Sequence, residues 1–531
     1  MEPQCLPFTS IPHTSRLFAD YLYDFDKVSR FYARPPLSRD WWHDEIKKID
    51  YPAERRKAVA DVLERQNRAF GAGEKTLANL ERLRHGSPAV VTGQQVGLFG
   101  GPLFCVLKAL TAVKLAEEAG AVPIFWMATE DHDFAEINSV GLPSAERLQK
   151  ISVNVEHLEG APVGTIAFGD EITAAVHQVE GLFGDSETIE ILKKSYCKGE
   201  TFGSAFAKFY SKVFADLGII FLNPLDAELH KIAQPVFRGA LEKSSEINQA
   251  LQARTQELEA AGYQAQVKVT PSHTVCFYFE NGVRTPVRHV ENHFLIGERK
   301  VAQADLLAET ERCPERFSAN VLLRPIMQDF LLPTLCYIGG PAEVAYFAQI
   351  ETVYRNLASR VTPVLPRIFA TLIEPRAAKL LERYGFSLTD IFVGPEQLRE
   401  TVASSALPDS IVKSFDAANA HLENALAAIQ KPLEALDRTL LDAAENAGSK
   451  MRYQLQTLRD KAARAESRKN TELHRHADEL TTLLYPNKEL QERGVGALYF
   501  LLKYGVGVVE KIKSAVSTPS GEHQVIPLQP F

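Results

Sequence analysis

Two polar clusters between residues 89 and 136 hold side-chain types that could bind and activate a small molecule. One is the run Thr-Glu-Asp-His-Asp at 129–133, which directly follows the apolar run 122–127. Carboxylates can hold Mg²⁺ or a substrate amine, and a histidine can transfer a proton near neutral pH. A solvated loop is the structural alternative, but it fits poorly directly after an apolar run. We take Asp131, His132 and Asp133 as candidate catalytic residues whose individual roles stay open.

The other cluster follows the apolar run 89–91 and combines amide side chains with glycines. Its candidate ligand-binding residues are Thr92, Gly93, Gln94, Gln95, Gly97, Gly100 and Gly101. Glycines let the backbone approach a ligand closely, and the start of the following helix presents free N–H groups to an anion. The spacing matches neither G-x-G-x-x-G nor a P-loop. A tight turn without a ligand explains the glycines equally well. Lys108 lies about two turns into the helix, which leaves its own contact with a ligand open.

A parallel sheet would bring these clusters together. The apolar runs 89–91 and 122–127 flank an apolar-periodic segment at 102–119, which is the pattern of a strand–loop–helix–strand unit. Residues 218–222 form a third apolar run with a polar end, which adds Asn223. Because ligands of such sheets bind just beyond the carboxyl ends of the strands, we expect these polar ends to face one cleft.

A second glycine turn, Gly339-Gly340-Pro341, echoes Gly100-Gly101-Pro102 later in the chain. It follows an apolar stretch and precedes a predicted helix that carries Glu343 in its first turn. Arg324 precedes this unit on another predicted helix, and its planar guanidinium could hold a carboxylate or a phosphate. A structural ion pair with Asp329 is an equally weighted alternative for Arg324.

The patterns together predict an α/β protein with a parallel-sheet core, two connecting insertions and a C-terminal α-helical coiled-coil domain. The predicted parts are a helical arm and first part of the core (1–140), a first insertion (141–214), core continued (215–263), a β-rich second insertion (264–312), core continued (313–396), an antiparallel coiled coil (397–485) and a C-terminal segment that docks on the core (486–531).

Several local patterns refine this division. Strands are predicted at 148–155 and 164–168, and the Asn281-Gly282 pair between β-rich runs predicts a hairpin. Residues 232–260 form one long helical pattern. Prolines at 363 and 366 indicate that a strand within 361–372 is short or at an edge.

The coiled-coil prediction depends on a heptad seam. Its residues are Leu422, Leu426, Ile429, Leu433, Leu436, Leu440, Ala443, Ala447, Met451, Leu455, Leu458, Ala462 and Ala465. The turn of the helical hairpin should fall within 437–450, with 437–439 and Gly448 as candidates. His474 and His476 are expected to be surface residues on this domain.

The composition excludes several classes of protein. A net charge of −8 argues against a chain-wide nucleic-acid-binding surface. The six cysteines are widely spaced without a C-x-x-C pair, and no apolar run reaches membrane-spanning length. The N-terminus lacks the layout of a signal peptide. We expect a reduced, cytoplasmic protein with neither nucleic-acid nor membrane partners.

Four motifs in order make the chain resemble the bacillithiol biosynthesis cysteine-adding enzyme family. They are TGQQVGLFGGPLF, FWMATEDHDFAEI, RPIMQDFLLPTLCYIGGPAEVAYFAQ and LQERG. The resemblance spans nearly the full chain. It implies a Rossmann-like core related to class I aminoacyl-tRNA synthetases and nucleotidyltransferases, and a coiled coil that supports a homodimer. The implied reaction joins cysteine to glucosaminyl-malate through an amide bond, which is the last step of bacillithiol synthesis.

The resemblance also implies ATP as a cosubstrate that activates the cysteine carboxylate, with Mg²⁺ as an option and the metal ligands unknown. Asp131, His132 and Asp133 would orient the amine, bind Mg²⁺ or accept a proton. The implied substrate-binding residues are Thr92, Gly93, Gln94, Gln95, Asn223, Arg324 and Glu343. The implied nucleotide-binding residues are Gly97, Gly100, Gly101, Gly339 and Gly340.

One departure leaves the activation chemistry open. Synthetase-like adenylating enzymes carry a His-x-Gly-His element and a Lys-Met-Ser-Lys-Ser loop, and this chain contains neither. Adenylation, phosphorylation of the carboxylate and another activated donor therefore remain alternatives. Two other functions also remain: a nucleotide-binding scaffold that recruits a thiol-pathway partner through the coiled coil, and a nucleotidyltransferase that acts on another small acid.

Overall fold

The computed structural model describes residues 4–38, 40–144, 147–405, 409–467 and 471–529. Its strands are β1 (Gln4–Pro7), β2 (Ala89–Gln94), β3 (Val122–Met127), β4 (Ser139–Pro143), β5 (Leu148–Ser152), β6 (Ile220–Leu222), β7 (His273–Glu280), β8 (Val283–Val290), β9 (His293–Ile296), β10 (Arg299–Ala302), β11 (Phe317–Ala319), β12 (Thr334–Gly339), β13 (Val364–Pro366), β14 (Phe369–Ile373) and β15 (Glu522–Pro527).

The helices of the described residues precede, connect and follow these strands. They are α1 (Arg16–Tyr23), α2 (Trp42–Lys47), α3 (Ala53–Ala69), α4 (Glu74–Arg84), α5 (Phe104–Ala119), α6 (Phe134–Ile137), α7 (Glu171–Phe183), α8 (Glu187–Ser195), α9 (Phe202–Val213), α10 (Ala227–Glu242), α11 (Ser244–Ala260), α12 (Gln303–Arg312), α13 (Arg324–Leu331), α14 (Pro341–Leu357), α15 (Pro375–Tyr384), α16 (Leu388–Ile391), α17 (Pro395–Ser405), α18 (Asp409–Leu436), α19 (Leu440–Ser467), α20 (Thr471–Leu484), α21 (Gln491–Gly494), α22 (Ala497–Tyr504) and α23 (Val508–Ala515). None of them is long and apolar enough to cross a membrane.

A five-stranded parallel sheet lies at the centre of the core, in the order β13-β12-β2-β3-β6. Its residues are buried almost throughout, as expected for a parallel sheet that is covered on both faces. The predicted α/β class and the β2–α5–β3 unit are confirmed, and the third predicted strand is β6, paired with β3. The carboxyl ends of β12, β2 and β3 lie side by side, so one edge of the sheet can hold a site.

The N-terminal arm is largely helical, as predicted, but its first described residues form a strand. β1 pairs antiparallel with β15, which in turn runs parallel to β14. This three-stranded sheet joins the two ends of the chain. Trp41 is 8% exposed and packs in a cluster with Val90 and Leu335, so it anchors the arm to the core.

The segment 164–168 is not a strand, which corrects one prediction. A 3₁₀ turn covers Val163–Thr165, and only Ala167 forms an isolated bridge, to Thr201. Two backbone hydrogen bonds at the start of this turn go to the loop after β3: Val163 N donates to Asp131 O at 2.6 Å, and Gly164 N donates to Thr129 O at 2.9 Å. The segment therefore braces the 129–133 loop.

The long helical pattern at 232–260 is divided into α10 and α11 at Lys243. The β-rich region that follows forms an antiparallel sheet in the order β10-β9-β8-β7-β11. The predicted hairpin is confirmed: Asn281 and Gly282 connect β7 to β8 with positive φ values of 53° and 81°. β13 is short and lies at the edge of the central sheet, as the prolines indicated.

α18 and α19 form the predicted antiparallel hairpin. The ion pairs Arg452–Glu423 and Arg459–Asp416 join the two helices in an antiparallel register. The turn lies at 437–439, where the Asp437 carboxylate accepts a 2.8 Å hydrogen bond from Thr439 N. Gly448 is not a turn residue, because it lies inside α19 against Leu426.

The expected exposure of His476 is wrong. This histidine is 4% exposed, and its Nδ1 lies 2.8 Å from the Tyr384 hydroxyl. His474, two residues earlier on α20, is partly exposed. The α20 helix therefore uses His476 to pack against the end of α15.

Candidate functional site

A cleft of about 370 Å³ opens at the carboxyl ends of β2, β3 and β12. The C-terminal segment, the β-rich sheet and helices α5, α13 and α14 complete its walls. Its charged lining residues are Lys108, Glu130, Asp131, Glu136, Arg284, Arg324, Glu343, Arg367 and Arg493. Cations and carboxylates thus face each other across a small space, which suits a substrate that carries both kinds of charge.

The structure brings part of the candidate set to this cleft. The candidates that line it are Gly93, Gln94, Gln95, Asp131, Arg324, Gly340 and Glu343. The candidates outside its lining are Thr92, Gly97, Gly100, Gly101, His132, Asp133, Asn223 and Gly339. The buried Thr92 hydroxyl donates to Ile338 O at 3.1 Å and joins β2 to β12. Asn223 Oδ1 accepts a 2.6 Å bond from the Thr129 hydroxyl and fixes the start of the 129–133 loop.

Lys108 and Glu343 form a buried ion pair in the floor of the cleft. Lys108 Nζ lies 2.6 Å from Glu343 Oε2 and also donates to Gly93 O and Gln94 Oε1, at 2.8 and 2.9 Å. Glu343 accepts two further bonds, from the Tyr337 hydroxyl and from Gly340 N. Burial alone would raise the pKa of Glu343, but the Lys108 ammonium holds it below its usual value. The pair fixes the carboxyl ends of β2 and β12 relative to each other.

Two of the candidate glycines are required by close packing at these strand ends. A Cβ on Gly93 would lie 2.9 Å from Trp126 O, on the neighbouring strand β3. A Cβ on Gly339 would lie 2.9 Å from the Cβ of Glu343. Both glycines therefore allow the backbone to approach the residues that line the cleft.

The glycine loop 97–101 packs on aromatic side chains and on the C-terminal segment. Gly100 N donates to the Tyr196 hydroxyl at 3.0 Å, and the Tyr210 hydroxyl donates to Gly100 O at 2.7 Å. Gly100 and Gly101 have φ values of 88° and 70°, which other residues rarely adopt. Turn geometry and packing thus account for these glycines without a nucleotide.

The loop after β3 presents Asp131 to the cleft. Gln95 Nε2 donates to Asp131 Oδ2 at 2.8 Å, and His132 N donates to Asp131 Oδ1 at 2.7 Å. The His132 ring lies outside the lining, against Phe277 at 5.9 Å between centroids. Asp133 caps the short helix α6 by accepting from Glu136 N at 3.2 Å. Of the predicted catalytic trio, only Asp131 faces the cleft.

Arg324 has no carboxylate partner among the described residues. Its guanidinium donates to Gln328 Oε1 and to the Tyr346 hydroxyl, both at 3.0 Å, and lies 4.8 Å from the centre of the Tyr337 ring. The alternative of an ion pair with Asp329 is wrong. Asp329 instead accepts a 2.6 Å bond from the Tyr354 hydroxyl, and burial raises its pKa. The Arg324 guanidinium therefore lines the cleft with only neutral hydrogen-bond partners among the described residues.

The sequence interpretation missed three further arginines of the cleft. Arg284 donates to Ala319 O at 2.7 Å and lies 4.0 Å from Asp131 Oδ1. Arg367 forms a buried two-bond ion pair with Glu492, at 2.9 and 2.5 Å. Arg493 is exposed beside the Phe104 ring. The LQERG motif contained the signal for Arg493 and Glu492, whereas no local pattern marks Arg284.

No three His, Cys, Asp or Glu residues of the described chain come together as a ready metal site. Asp131 and Glu343 already accept several hydrogen bonds each. The carboxylates of Asp131 and Glu343 are thus already engaged by groups of the chain itself.

Comparison with known proteins gives matches along the whole chain. Residues 1–368 match the family model of the bacillithiol biosynthesis BshC N-terminal Rossmann-like domain, and residues 370–528 match that of the BshC C-terminal coiled-coil domain. A protein of Koribacter versatilis named "Putative cysteine ligase BshC" is 46% identical over 99% of this chain and 100% of its own length. Proteins of the same name from Solibacter usitatus and Salinibacter ruber are 36% and 34% identical, over 99% and 96% of this chain and 100% and 96% of their own lengths.

Proposed function

The chain belongs to the bacillithiol biosynthesis BshC family, and we propose that it is a ligase that joins cysteine to glucosaminyl-malate through a new amide bond, the last step of bacillithiol synthesis. The names of the relatives support cysteine as one substrate. The assignment of glucosaminyl-malate as the other substrate rests on the charge of the cleft. Arg324 and Arg493 line it and lack carboxylate partners among the described residues.

Glucosaminyl-malate carries carboxylates and an amine, so its site needs cations for the former and a proton acceptor near the latter. Arg324 is suited to a malate carboxylate, because its planar fork is already held in place by Gln328 and Tyr346. Carboxylates of the lining, Glu130 and Asp131, lie in the same cleft to receive the amine.

ATP is the cosubstrate in this proposal, because an amide does not form efficiently from a free carboxylate and an ammonium ion. ATP would convert the cysteine carboxylate into an acyl phosphate or an acyl adenylate. We assign the phosphates to the Phe104 side of the cleft, where Arg493 is exposed and without an ion-pair partner among the described residues. We propose this position for the phosphates in place of the glycine loop 97–101.

Mass spectrometry of purified protein with ATP, cysteine and glucosaminyl-malate tests the proposal. We expect the cysteinyl amide product, with either ADP or AMP as the second product according to the kind of activation. Nucleotide binding without any product would overturn the ligase and favour the scaffold. Product formation from another acid but not from cysteine would favour the nucleotidyltransferase.

We further propose that two chains associate through the α18–α19 hairpin and that the enzyme acts in the cytoplasm. The hairpin leaves seam residues exposed, among them Leu436 at 78% and Leu458 at 56%. All six cysteines are unpaired, which fits a reducing compartment.

A further inference from the structure

Glu130 is a cleft residue with a buried histidine behind it. It lies in the loop after β3, lines the cleft and is 5% exposed. His230 of α10 is 1% exposed, and its Nε2 lies 3.3 Å from Glu130 Oε1. Neither of these two atoms completes a hydrogen bond with another described residue. Buried polar atoms in native proteins are rarely left so, and at an active site this arrangement often serves a function.

The surroundings of His230 favour its charged form. Its Nδ1 lies 3.4 Å from the Pro314 carbonyl oxygen, and its Nε2 faces a carboxylate. Both ring nitrogens therefore face acceptors, and only the imidazolium carries a proton on each nitrogen. Burial alone would lower the pKa of His230, but the Glu130 carboxylate raises it above its usual value. The other charged groups that face Glu130 are Arg284 and the neighbouring Asp131.

Glu130 differs from the other carboxylates of the lining because the His230 imidazole behind it is the one hydrogen-bonding group that approaches its carboxylate among the described residues. Glu343 is taken by Lys108, Tyr337 and Gly340. Asp131 and Glu136 both accept from Gln95 Nε2, at 2.8 and 2.6 Å. A group that must take a proton from a substrate needs a free lone pair, and Glu130 has one.

We propose that Glu130 is the catalytic residue that accepts the proton of the attacking amine, and that His230 is the positioning residue that holds the Glu130 carboxylate in place. This inference rests on the proposed amide-forming function. The amine nitrogen forms the new C–N bond to the activated cysteine carbonyl. The C–O bond to the phosphate or adenylate oxygen breaks, and the electron pair leaves on that oxygen. The nitrogen becomes cationic and acidic during attack, so a carboxylate can take its proton.

The experiment compares two nucleophiles on ATP-activated cysteine. Glucosaminyl-malate presents an amine that is largely protonated at neutral pH, whereas hydroxylamine is largely unprotonated and does not need a base. We expect Glu130→Gln to lower kcat for the amide product by about 10²–10⁴-fold and to leave ATP-dependent cysteine hydroxamate formation within about threefold of the native enzyme. Glu259→Gln is the control, because it removes an exposed carboxylate on α11, and it should affect neither reaction.

His230 is tested with the same pair of reactions. His230→Leu should lose amide formation and keep hydroxamate formation, and His230→Gln, which keeps an N–H donor, should restore part of the amide rate. His177→Gln, at an exposed site on α7, should change neither reaction. A purely structural His230 would instead affect both nucleophiles equally, which would overturn its positioning role.

The outcomes separate this inference from the function on which it rests. If the native enzyme forms neither product with ATP and cysteine, the proposed ligase function fails. If the native enzyme forms both products and Glu130→Gln retains the amide rate, the ligase stands and Glu130 is not the proton acceptor.

Discussion

At the residue scale, Arg324 differs from Lys108 and Arg367 in having no carboxylate partner within the described chain. Its replacement by methionine should therefore remove a ligand contact without leaving an unpaired carboxylate behind. We expect kcat/KM for glucosaminyl-malate to fall by about 10- to 100-fold, the range of one hydrogen-bonded charge contact. Steady-state kinetics with each substrate varied checks this. An equal rise in KM for ATP would contradict the assignment of Arg324 to malate.

Lys108 and Glu343 should instead matter for stability. Glu343→Gln leaves the Lys108 ammonium buried without its counter-charge, which typically costs about 3–5 kcal/mol. The pKa of Glu343 is lowered in the folded protein, so its contribution is complete above about pH 4.5 and is lost as the pH falls through that lowered pKa.

Urea unfolding of Glu343→Gln near neutral pH should show a large drop in midpoint, and the difference from the native protein should shrink in acid. The double variant Lys108→Met with Glu343→Leu is the control, because it removes both charges together. A double variant less stable than Glu343→Gln would argue against an unpaired charge as the cause.

His230 gives a pH dependence of the opposite sign. Its pKa is raised in the folded state, so its contribution to stability is complete below its ordinary value of 6.5 and is lost as the pH rises through the raised pKa. The gap in unfolding midpoint between the native protein and His230→Gln should therefore be wider at about pH 6 than at about pH 9. A gap of the same width at both pH values would show that His230 is neutral when folded. The His177→Gln variant, changed at an exposed site, is the control, and its gap in unfolding midpoint should be the same at both pH values.

At the scale of elements, the 3₁₀ turn at Val163–Thr165 holds the loop that carries Glu130 and Asp131. A Cβ on Gly164 would lie 2.3 Å from the Cβ of Thr129. Gly164→Ala must therefore displace that loop, and we expect at least a 10-fold loss of kcat with the fold retained, because small misplacements are costly in catalysis. Gly181→Ala on α7 is the matched control, since its Cβ meets nothing within 4 Å and alanine favours a helix.

The elements differ in how far the sequence could predict them. The β2–α5–β3 unit and the Asn281-Gly282 hairpin depend on local periodicity and turn chemistry, and the sequence predicts both. β1 was missed because a four-residue strand that pairs with residues 522–525 carries no local signal. The same reason applies to the cleft, where Arg284, His230 and Arg493 come from distant parts of the chain and only the fold brings them near Glu130 and Phe104.

At the scale of the whole molecule, the C-terminal segment completes the core. The Glu492 carboxylate pairs with Arg367 and also accepts from Ala370 N at 3.1 Å, while Gln491 Oε1 accepts from Leu372 N at 2.7 Å. These buried bonds fix α21 beside β14 and place Arg493 at the cleft. Part of the wall of the cleft is thus supplied by residues that follow the coiled coil in sequence.

Some apolar residues of the heptad seam remain exposed on the α18–α19 hairpin. Ile429 and Leu436 lie seven residues apart on α18, as do Met451 and Leu458 on α19, and these four side chains are 45–78% exposed. One heptad position of each helix is thereby left uncovered by the hairpin, and the proposed dimer would bury it. Charges at such a position oppose association, so Met451→Glu with Leu458→Glu should convert a dimer into a folded monomer in analytical ultracentrifugation. Gln454→Glu, an exposed change on the same helix, should leave the dimer intact. A native protein that sediments as a monomer at micromolar concentration would contradict the proposed assembly. A monomeric variant that keeps its activity would show that a single chain contains the complete cleft.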